Sequence, residues 1–112
     1  MNLSRLNALL VAALLSLAGC ERQQTQRIER IAEPQRFTFH ASRGSTHSGY
    51  TLRVHGHIDG AASITASEST PQPISGDVDW RIYHDYFRPS IDIQYSPVRV
   101  TAGQLTIELT FH

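Results

Sequence analysis

The chain has no lysine and a single cysteine among its 112 residues, and its ten basic side chains, all arginine, are matched by ten carboxylates. A balanced charge leaves no basic surface of the kind that neutralises phosphates, so nucleic acid is not an expected partner. A basic group that is always arginine favours bidentate contacts with carboxylates wherever it meets one. One cysteine cannot close an internal disulfide, the usual staple of small exported domains. Stability must then come from the core, a partner or self-association. No G-x-S-x-G stretch occurs, the serines have no catalytic context, and so short a chain leaves little room for a substrate cleft. The expectation is a non-enzymatic protein with no cofactor.

What is present begins at the N-terminus. Met1–Arg5 is a short polar head with one positive charge, and Leu6–Leu17 is apolar apart from Asn7 and Ser16. The run is shorter than the ~20 residues needed to span a bilayer, and the pattern is that of a secretory signal peptide. It ends in Leu17-Ala18-Gly19-Cys20, which resembles the lipobox of bacterial lipoproteins. The resemblance implies removal of residues 1–19, a diacylglycerol on the Cys20 thiol and acylation of the new amine. Several acyl chains at one residue suffice for stable anchoring. Because Glu21 is not aspartate, the resemblance also implies export to the outer membrane, facing the periplasm, with the inner membrane and the cell surface as the other addresses.

Cleavage there leaves residues 20–112, with every arginine except Arg5 and all ten carboxylates, enough for one small domain. The stretch 21–35 is rich in Gln, Arg and Glu, with Ile28, Ile31 and Ala32 as its only apolar residues. It reads as a polar tether from Cys20, spanning roughly 20 Å as a flexible coil. A turn or two of helix through Ile28 and Ile31 is the alternative, ended by Pro34.

Residues 36–112 alternate with period two almost throughout, the pattern of half-buried strands. The runs are Phe37–Phe39, Tyr50–Ile58, Ala62–Ala66, Val78–Tyr86, Ile91–Tyr95 and Leu105–Phe111, with Val98–Val100 as a seventh. Asp59-Gly60 and Ala102-Gly103 read as hairpin turns. Thr70–Pro73 and Phe87–Ser90 read as breaks, the first kept out of a sheet interior by its prolines. The expected fold is all-β, a small antiparallel sandwich or barrel of six to seven strands. Its expected core is Phe37, Phe39, Leu52, Val54, Ile58, Ile64, Trp80, Ile82, Ile91, Ile93, Leu105, Ile107, Leu109 and Phe111.

Three groups of residues carry chemistry in principle. His55 and His57 stand two apart on one strand face, the spacing of a shared Zn²⁺ or Cu²⁺, with His40, His47, His84 and Asp59 as further ligands. Two histidines on a strand are more often plain polar surface. Asp77, Asp79 and Asp85 invite a Ca²⁺ or paired-carboxylate reading; with Arg81 on the same face, a charge-balanced outer surface accounts for them better. Arg81, Tyr83, Tyr86, Phe87 and Arg88 have the composition of a protein-binding hot spot beside a turn, although Tyr86 alone also fits a core cap.

The leading expectation is a lipid-anchored envelope protein that binds another protein: an inhibitor, an immunity protein or an accessory subunit. In size and architecture it is similar to lysozyme-inhibitor lipoproteins, but it lacks their paired cysteines, so no inhibitory residues are implied. A metal-binding protein using His55 and His57 is the second reading. A structural component that adds a sheet edge to an envelope assembly is the third.

Overall fold

The computed structural model describes residues 23–44 and 46–112; the signal peptide and Cys20 lie outside the described residues. The fold is all-β and antiparallel. Five strands run as β1 (Gln23–Ile28), β2 (Gln35–His40), β3 (Gly49–Ala66), β4 (Gln72–Asp85) and β5 (Ser90–Phe111). β5 pairs with β1, β2 and β3, and β3 pairs with β4.

The long strands each serve two layers. The first part of β3 (residues 50–59) pairs with residues 102–111 of β5, and the second part (60–66) with residues 93–100. β1 lies beside the end of β5 and β2 beside its start. One layer is therefore β1, the end of β5, the start of β3 and the end of β4. The other is β2, the start of β5, the end of β3 and the start of β4. Buried residues of both layers belong to one cluster, from Leu52, Val54, Leu105 and Ile107 in the first to Phe39, Ile64, Ile91 and Ile93 in the second.

The expected six or seven strands of residues 36–112 are four, because the two expected hairpins are bends within strands, and β1 is an unexpected fifth. Asp59-Gly60 does not reverse the chain. β3 continues through it beside the same partner, with register shifts at Asp59/Gly60 and Ala61/Ala62. Gly60 has φ +134°, and a Cβ there would collide with the Arg99 carbonyl oxygen. Gly103 makes the same bend in β5, with φ +134° and its missing Cβ against the His57 carbonyl. Glycine at these positions lets two backbones cross closely where both strands turn from one layer to the other. Pro97 sits at this bend, where β5 has β3 on one side and neither β1 nor β2 on the other, so its missing N–H is tolerated.

The second correction concerns residues 21–35. The stretch from Gln23 is no tether: β1 pairs residue for residue with 105–110 of β5. Ile28 is fully buried and Ile31 nearly so. The sequence disguises this strand because its inward positions before Ile28 are Gln24 and Gln26, half-buried amides rather than apolar residues. Only Glu21 and Arg22 separate Cys20 from β1.

All strands fold over at one end, so the ends of the molecule differ. The apex holds the β1–β2 turn and the glycine bends. The base holds Gln23, His112 and the loops 41–48, 67–71 and 86–89. The base loops are knitted together. Ser48 N–H and Gly49 N–H donate to the His112 carbonyl, Tyr86 N–H donates to Ser48 and Ala41 N–H to Pro89. His47 Nε2–H donates to the Arg88 carbonyl at 2.6 Å, with its ring edge-on to Phe111.

Candidate functional site at the open edge

The two long sides of the sandwich are built differently. On the β1–β2 side, Ile28 and Ile31 close over the core. The buried Tyr95 hydroxyl donates to the Ile31 carbonyl at 2.6 Å, and the Gln24 amide donates to the His40 carbonyl, tying β1 to the end of β2. Gln35 adds bonds to the Arg30 and Glu33 carbonyls in the connecting turn.

The opposite side is β4. Among the described residues β4 pairs with β3 alone, which leaves a 14-residue strand with one unpaired edge. Its inward-facing Trp80 and Ile82, expected in the core, are only partly buried and pack against the core from outside, as does Phe37 on β2. Beside them a cleft of about 290 Å³ enters between the layers. Leu52, Ile64, Ala66, Trp80 and Ile82 form its apolar floor, and Glu68, Thr70, Gln72 and His84 its polar rim. That volume lies just under the ~300–1,000 Å³ of small-molecule pockets, and suits one or two apolar side chains.

One rim residue is held under strain. Glu68 is the single non-glycine residue with positive φ among the described residues, at 64°. It is the third residue of a turn closed by Ser69 N–H donating to the Ala66 carbonyl at 3.1 Å, a position that favours glycine. The Ser69 hydroxyl donates to the same carbonyl. Glu68 reaches across to Arg88, 2.8 Å away. Below it Tyr50 packs against His84 and Tyr86. Burial first, and then the neighbouring Tyr86 and Glu68, push the Tyr50 hydroxyl up to about 12, so it stays neutral.

The expected hot-spot residues are not one cluster. Tyr86 is buried, and its hydroxyl donates to the Ser90 carbonyl across the β4–β5 turn. This corrects its assignment to a binding surface. Arg81 and Tyr83 point outward from β4, while Phe87 and Arg88 lie in the loop at the base. Tyr83 and Phe87 are 53% and 74% exposed.

Nor do His55 and His57 converge on a site. His55 Nε2 lies 3.2 Å from Glu108. The His57 ring is held at both nitrogens, 2.7 Å from Asp77 and 2.9 Å from Asp59. The bonds to Asp59 and then Asp77 hold the His57 pKa above its ordinary 6.5, favouring the imidazolium over the neutral ring a metal needs. Arg53 binds Asp79 through two nitrogens, at 3.1 and 3.4 Å, and reaches Glu108 at 3.5 Å. The bond from Arg53 holds the Asp79 carboxyl below its usual range. Asp77 and Asp79 thus answer basic residues of β3. Among the described residues no three His, Cys, Asp or Glu side chains are arranged to hold a metal ion.

No protein-family model matches the chain, and no curated protein matches it. Solved structures resemble it in fold at low identity. The Yersinia pseudotuberculosis-derived mitogen is 12% identical, with 80% of this chain and 84% of that one covered and a TM-score of 0.49. PirA is 10% identical, with 81% and 94% covered and a TM-score of 0.48. A de novo designed double-stranded β-helix is 8% identical, with 81% and 99% covered and a TM-score of 0.45.

Proposed function

We propose that this protein is a non-enzymatic, lipid-anchored envelope protein that binds another protein along the open β4 edge, with apolar side chains of the partner seated in the Trp80 cleft. One observation carries the reading. β1, β2 and β4 are all edge strands, but the short β1 and β2 are covered by buried isoleucines and cross-layer hydrogen bonds, whereas the 14-residue β4 carries Trp80 and Ile82 half-exposed beside an apolar cleft. An edge of that length is a template for β-augmentation, and a desolvated Trp in a small pocket is a frequent interface anchor. Pro73, Asp77, Asp79 and Asp85 on β4 discourage indiscriminate pairing of that edge. The Leu17-Ala18-Gly19-Cys20 motif supports the anchor, and Glu21 the outer membrane as its address, facing the periplasm.

The reading is tested by affinity capture of the tagged, full-length lipidated protein from crosslinked envelope membranes. A partner should be recovered with the wild type and lost with Trp80→Ala combined with Ile82→Ser, while both proteins keep the same β-sheet circular dichroism. Unchanged recovery by the folded double variant would remove the cleft from the account.

A further inference from the structure

The base of the sandwich carries two exposed aromatic residues, and the chain that leaves it toward Cys20 is very short. Gln23 opens β1 opposite Thr110; Thr110 pairs with Thr51 and Thr51 with Tyr83. These four residues form one row across the outer sheet at the base. Three residues of fully extended chain reach about 10 Å, so Cys20 is confined to that distance from Gln23. The Tyr83 ring lies 5.9 Å from the His112 ring, and Phe87 projects from the adjoining 86–89 loop, 74% exposed. An acylated Cys20 therefore holds this end, rather than the apex, against the lipid. The strands put the apex about 30 Å farther away.

We infer that the base docks directly on the bilayer, with Phe87 and Tyr83 at headgroup level, so that the open β4 edge stands upright beside the membrane. This rests on the lipid-anchor reading and adds an orientation to it. Aromatic side chains are favoured in the interfacial region, where an apolar ring is buried and a hydroxyl stays wet. Arg43 and Arg88 at the base are offset by Glu68 and Asp85. The contact then depends on the rings more than on anionic lipid.

The test uses the lipidated full-length protein in phosphatidylcholine vesicles containing lipid brominated along its chains. In a Trp80→Phe background, a single new tryptophan replaces Phe87, Tyr83 or, at the apex, Val98, which is 80% exposed. Tryptophan at 87 and at 83 should be quenched several-fold more than at 98. Adding phosphatidylglycerol should change this little. Equal quenching at base and apex, or none at either, overturns the inference. Mass spectrometry of the native protein separates the two layers of the argument. An acylated Cys20 with an unquenched base refutes the docking alone, and an unmodified Cys20 refutes the anchor as well.

Discussion

The two long sides of this sandwich solve the same problem in opposite ways. The β1–β2 side buries Ile28 and Ile31 and ties the layers together through Tyr95 and Gln24. All three of β1, β2 and β4 have one free edge, but β4 is the longest of them and leaves its largest apolar residue, Trp80, half-covered. A domain with one cysteine and no disulfide gains from closing every side it can. The proposed binding edge is thus the side where less of the core is covered, as expected where stability is traded for recognition.

The comparison predicts unequal costs. Deleting β1, by starting a soluble chain at Gln35, should abolish cooperative unfolding, because it uncovers Leu105, Ile107 and Leu109 together. A tether at residues 21–35 would leave the urea transition where it was. Ile28→Ala should lower stability by about 3 kcal/mol, the cost of a cavity in a closed core. Ile82→Ala, a smaller truncation in contact terms because its site is already half-solvated, should cost about 1 kcal/mol while weakening partner capture. Tyr95→Phe should cost about 1 kcal/mol, since the Ile31 carbonyl loses a buried donor. Glu68→Gly should have the reverse sign. Relief of the left-handed backbone should raise stability by about 0.5 kcal/mol, even after loss of the exposed pair with Arg88.

Outside both edges lies the charged ladder on β3, which sets a pH response. His57 is raised above 6.5 by its carboxylates, so its contribution is fully present below that value and is lost as pH rises through the raised pKa. Asp79 is lowered from 3.8, so its contribution holds above that value and fades as pH falls through the lowered one. In an NMR titration, Asp77→Asn should bring the His57 midpoint down toward 6.5; an unmoved midpoint would break the ladder.

The alternation of Tyr50–Ile58, Ile91–Tyr95 and Leu105–Phe111 made the β-fold and most of its core legible in the sequence. What escaped has physical causes. β1 was hidden because its inward positions are glutamines, whose long amides close an edge without looking apolar. Asp59-Gly60 and Ala102-Gly103 resembled hairpins because a positive-φ glycine serves a bend between layers as well as a reversal. Trp80 and Ile82 carry the same inward signature as Leu52 and Val54, and only the strand order shows that they sit on an edge strand, where they are partly buried. Tyr86 shares its composition with a surface hot spot, yet its ring is core and its hydroxyl closes a turn.

Photo-crosslinking in intact cells measures the difference between the two sides directly. A photoreactive residue at Ile82, on the open side, should give a discrete protein adduct; the same residue at Thr25, on the closed side, should give none. An adduct from position 25 with none from position 82 would contradict the assignment of β4 as the binding edge.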